Sequence, residues 1–131
     1  MRATVLCYNL KGTAKGRKIG LIFGFLGYRV RHVEKEEYLL PVGEVAEGRP
    51  AESINEEAGV ETKETEAAFQ DEMLLMCPEN ERMLDEALLR MRKEKVQVPL
   101  KAVLTEINKS WTSVALHDEI LREHEKMTGG R

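Results

Sequence analysis

Five residues that favour strands run together as TVLCY at 4–8, and a second such run appears as MLLMC at 73–77. Apolar side chains on both parities are what a strand covered on both faces needs, so these two segments are expected as the inner strands of a sheet. YRVRHV at 28–33 alternates instead, with Tyr28, Val30 and His32 against Arg29 and Arg31; one wet face places it at an edge. LKAVLT at 100–105 reads as the fourth strand. Between these runs the period lengthens to that of a helix. Leu84, Ala87, Leu88 and Met91 fall at i, i+3, i+4 and i+7 and predict an amphipathic helix over 79–94. Ile19, Ile22, Phe23 and Leu26 predict a first helix over 14–26, whose glycines each cost roughly 1 kcal/mol against alanine and so point to close packing. A last helix carries Trp111, Val114, Ala115, Leu116, Ile120 and Leu121; Asn108 to Ser110 offer its caps and TGGR ends it.

Strand, loop, helix, strand therefore occurs twice, over 1–34 and again over 72–127, where a further helix follows. At 131 residues the chain suits one domain. The expected fold is α/β: a small, mostly parallel four-stranded sheet in the order 2-1-3-4 with three main helices. In its fully parallel form a switch point lies between strands one and three, and Cys7 and Cys77 share one carboxyl edge. The rival is a ferredoxin-like α+β sheet, in which strands one and three run antiparallel. The connection 35–71 is the awkward part: its start, EEYLLPVGEV, should pack on the domain, whereas 46–66 is acidic and expected to be partly mobile.

Charge sharpens this layout. Residues 1–33 hold seven basic and no acidic side chains, residues 34–72 hold thirteen acidic against three basic, and residues 73–131 balance at ten of each. The basic half thus has its own neutralising segment beside it, which argues against nucleic acid as a partner. No apolar run reaches the roughly 18 residues of a membrane span and no export signal is evident, so a cytoplasmic protein with reduced cysteines is expected.

The chemistry that remains is sparse. NLKGTAKGRK at 9–18 joins a strand to a helix, as phosphate loops do, but Gly12 and Gly16 are separated by three residues and no Lys-Ser/Thr follows. What survives is a helix N-terminus with Asn9, Lys11, Gly12 and Lys15 able to hold an anion. Thr105, Asn108, Lys109 and Ser110 lie where the fourth strand meets the last helix, and in a parallel sheet they would share the rim of Asn9 and Lys11. Cys7 and Cys77 lack a CxxC partner, and His117 and His124 stand two helical turns apart, so no metal site or cofactor motif is read.

The run VPLKAVLTEINKSW at 98–111, preceded by EMLLMCPENERMLDEALLRMR, resembles a bacterial family described only as a domain of unknown function, number 3783. The likeness is best over 72–127 and rests on Pro99, Leu100, Lys101, Ala102, Val103, Leu104, Thr105, Asn108 and Trp111. It implies a small bacterial α/β protein and brings no catalytic residues with it. Three readings stand. The first is a regulatory module binding a small anionic ligand or a protein at the rim of NLKG and TEINKSW. The second is an enzyme with Cys7 or Cys77 as nucleophile. The third is a homodimer whose acidic segment meets the basic half of its partner.

Overall fold

The computed structural model describes residues 3–47 and 69–127. Strand β1 (Thr4–Tyr8) and strand β3 (Met73–Cys77) are buried at every position. They pair at the centre of a four-stranded sheet, flanked by β2 (Arg29–His32) and β4 (Leu100–Val103) in the order β2-β1-β3-β4. The class, the order and the edge position of β2 are those the residue pattern predicts.

One direction differs. β1 and β2 are parallel, β3 and β4 are parallel, but β1 and β3 are antiparallel, with Leu6 opposite Leu75 and Thr4 opposite Cys77. The sheet is therefore mixed, and the fully parallel form is corrected. Two-sided apolarity suggested parallel inner strands; it requires only that both faces be covered. Here α1 (Ala14–Phe25) and α3 (Glu81–Lys93) cover one face, while α2 (Val42–Glu47) and α4 (Ser113–Met127) cover the other. The antiparallel inner pair is the feature expected of the ferredoxin-like rival, but its split crossovers are not found, since each helical crossover here joins adjacent strands.

Alternation within the inner strands fills two cores. Val5, Cys7, Leu74 and Met76 meet Ile19, Ile22, Phe23, Ala87 and Met91 on the α1/α3 side. Leu6, Tyr8, Met73, Leu75 and Cys77 meet Tyr38, Val42, Phe69 and Leu116 on the other. Each large side chain so buried contributes roughly 1.5–3 kcal/mol, which outweighs the poor helix propensity of α1. Close packing accounts for Gly16, where a Cβ would collide with the Leu10 carbonyl, but not for Gly20 or Gly24, where it would meet nothing within 4 Å.

The two β-α-β units share their helix endings as well as their order. Thr13 caps α1 by accepting from the Gly16 N–H at 2.9 Å, and Asn80 caps α3 by accepting from the Met83 N–H at 2.9 Å. At the other ends the same pair of reversed bonds closes each helix: Tyr28 N–H to Phe23 O and Gly27 N–H to Gly24 O, Val96 N–H to Met91 O and Lys95 N–H to Arg92 O. Such a turn puts one residue in the left-handed region. In α1 it is Gly27 (φ 99°), and in α3 it is Lys95 (φ 60°).

The last helix starts later than its caps predicted. Thr112, not Asn108 to Ser110, accepts from the Ala115 N–H at 3.1 Å, because residues 109–112 are pinned to the α2 entry. Val42 and Gly43 N–H donate to Trp111 and Lys109 carbonyls, both at 2.8 Å. Residues 48–68, most of the stretch expected to be mobile, lie outside the described residues, as does the terminal TGGR.

Candidate anion-binding groove

Reversal of the inner pair decides where polar groups can gather. β1 ends at Asn9 on one border of the sheet; β4 runs the other way and ends at Thr105 on the opposite border. The expected rim of Asn9, Lys11, Gly12 and Lys15 with Thr105, Asn108, Lys109 and Ser110 is therefore two separate corners.

Each corner is largely occupied by its own structure. Asn9, itself left-handed at φ 62°, donates from Nδ2 to the carbonyls of Phe69 at 3.0 Å and Asp71 at 2.8 Å, fastening the chain that enters β3. Lys11 pairs with Glu34 at 2.9 Å in the open, and Gly12 (φ 79°) makes the turn. In the other corner the Thr105 N–H donates to Asn108 Oδ1 at 2.9 Å, the Asn108 N–H donates back to Thr105 Oγ1 at 3.1 Å, and Asn108 Nδ2 donates to Val103 O. Lys109 pairs with Glu106 at 2.8 Å, which holds the exposed Glu106 carboxyl below its ordinary range, and Ser110 is exposed.

The cysteines part company too. Cys7 faces the α1/α3 core and Cys77 the α4 core, near opposite borders, and burial pushes each thiol up to about 12. Burial of this kind disfavours the thiolate on which nucleophilic chemistry depends. Among the described residues no group of His, Cys, Asp and Glu is placed to hold a metal ion.

Of the eight expected residues, Lys15 lines a groove with chemical character. A groove of about 1190 Å³ runs beneath the end of α3 and along the entry to β4. Leu88, Met91, Val96, Val98 and Pro99 give it an apolar wall, and Lys15, Arg92, Lys95, Lys101 and His124 supply its charge-bearing groups. No lining residue is acidic.

Local structure explains this gathering. The last turn of α3 carries Arg90, Arg92 and Lys93, as the negative end of a helix dipole favours. The left-handed turn then swings Lys95 outward while Val96 returns to the core. Parallel pairing of Lys101 with Leu74 aims Lys101 to the α3 side, where its Nζ donates to the Val98 carbonyl at 2.9 Å. Lys15 Nζ is held by Glu72 at 2.6 Å. Arg92 and Lys95 are exposed and have no ion pair among the described residues.

With four cations and no lining carboxylate, the groove attracts negative charge, and its apolar wall suits a ligand with a hydrophobic part. All of its lining except Lys15 falls within residues 88–124. Residues 72–127 match the family model of a domain of unknown function, DUF3783. No curated protein and no solved structure matches the chain. The DUF3783 region comprises β3, α3, β4 and α4, so the groove is built chiefly within it and the amino-terminal β-α-β unit adds only Lys15.

The DUF3783 region also holds a buried polar cluster. His117 is 5% exposed: its ring stacks on Phe69 at 3.9 Å, with Nε2 2.8 Å from Asp71 and Nδ1 3.2 Å from Asp118. One turn earlier the Ser113 and Tyr8 hydroxyls share a 2.8 Å hydrogen bond. Asn9 and His117 thus grip residues 69–71 from two sides, a role in holding β3 in place.

Proposed function

We propose that this protein is a non-catalytic binding module whose ligand is a small anion with an apolar portion, seated in the groove of Arg92, Lys95, Lys101 and Lys15. The observation that carries the reading is Lys95. It occupies a left-handed position that in the matching turn of α1 is glycine, and a non-glycine residue there costs roughly 1–2 kcal/mol. A cation kept at a strained position, beside two others on a groove with no carboxylate in its lining, is what a binding role explains and packing does not.

Calorimetric titration with pyrophosphate and with a nucleoside triphosphate at low ionic strength tests it. Saturable binding is expected, weakening as salt is raised. Arg92→Ala and Lys101→Ala should each lose about threefold to tenfold in affinity, while Lys11→Ala, at an exposed ion pair outside the groove, should lose none. Absence of binding by either probe, or equal loss in Lys11→Ala, would overturn the reading.

A further inference from the structure

Between α1 and α3 lies a second cleft of about 640 Å³, which shares no lining residue with the basic groove. Leu21 and Phe25 stand on its α1 wall with 71% and 78% of their surface exposed. Gly20 and Gly24 also line it, and since a Cβ at either would meet nothing within 4 Å, no side chain from those positions closes it. Large apolar residues held out over an open cleft are unexplained in the isolated chain.

The charges around the cleft indicate what covers it. Lys18 and Glu94 mark one end, where Lys18 Nζ donates to the Glu94 carbonyl at 3.4 Å; Phe25 and Arg90 mark the other, with the guanidinium 5.5 Å from the ring centre. We propose that a second copy of this chain docks here. A two-fold axis crossing the cleft midway between its ends sets α1 antiparallel to its counterpart, brings Leu21 and Phe25 of the two copies together, and places Glu94 of one copy level with Arg90 of the other. Both ends then gain an opposite-charge pair by symmetry. An anionic membrane fits less well, because Glu94 would face its surface.

The test is molar mass against concentration by sedimentation equilibrium. The native chain should pass reversibly from 14.9 kDa to twice that mass. Phe25→Ser, at an exposed site that leaves the core intact, should remain monomeric. Arg90→Glu and Glu94→Arg should each weaken association by roughly tenfold, and the two together should restore it. A native chain that stays at 14.9 kDa at every concentration, or charge variants whose effects simply add, would overturn the proposal. Pyrophosphate affinity should be the same in Phe25→Ser, so failure of this interface and failure of the groove are read separately.

Discussion

Lys95→Gly separates strain from charge at one residue. At φ 60° the lysine backbone costs roughly 1–2 kcal/mol relative to a residue without a Cβ. Against that, glycine adds unfolded-state freedom worth roughly 0.5–1 kcal/mol. The net expectation is a gain of about 0.5–1 kcal/mol, equivalent for a chain of this size to a rise in Tm of about 2–5 °C. The same substitution removes one cation from an open groove, which at the ordinary worth of an exposed charge pair lowers pyrophosphate affinity about twofold to fivefold. Urea unfolding and calorimetric titration on one preparation measure both. Lys95→Ala is the control: it loses the charge but keeps the Cβ, so affinity should fall equally without the gain in stability. A Lys95→Gly protein less stable than the parent would refute the strain argument. Unchanged affinity in both variants would remove Lys95 from the site.

The two classes of glycine in α1 should respond oppositely: Gly16→Ala drives a Cβ into the Leu10 carbonyl and should lower the urea midpoint by the equivalent of about 1–3 kcal/mol, whereas Gly20→Ala should raise it by about 1 kcal/mol. Tyr8→Phe leaves the buried Ser113 hydroxyl without its partner and should cost about 1–2 kcal/mol in the same assay. Stability should hold up to pH 9 and fall above it, since burial raises Cys7 and Cys77 from 9.0 to about 12 on folding, and burial, with smaller repulsion from Cys77 and Glu86, raises Tyr28 from 10.0 to about 12. The unfolded chain then releases protons that the folded chain retains, so the stability present below the unfolded values drains away as pH climbs toward the folded ones. Thermal melts from pH 7 to 11 check this, and a Cys7→Ala, Cys77→Ala chain should show a shallower decline.

Sheet order, edge strand and the three long helices were legible because each rests on local periodicity: Leu84, Ala87, Leu88 and Met91 face the sheet whichever way β3 runs. The direction of β3 was not legible, because burial on both faces is satisfied by either direction. The groove was missed for that reason and one more. Residues 73–131 carry equal numbers of each charge, so their overall balance hid the local run of Arg92, Lys93, Lys95 and Lys101. The sequence does carry a signal, a basic helix end followed by Val-Pro and a lysine inside a strand, but its meaning depends on the left-handed turn at Lys95 and the parallel register of β4. The burial of His117 was not legible either, because its stacking partner, Phe69, is 48 positions away along the chain.

Amide chemical-shift mapping during a pyrophosphate titration at low salt locates the bound anion residue by residue. Saturable shifts should concentrate at residues 92–101, Lys15 and His124. Shifts centred instead on residues 9–12 or 105–110, or none that saturate, would contradict binding in the groove.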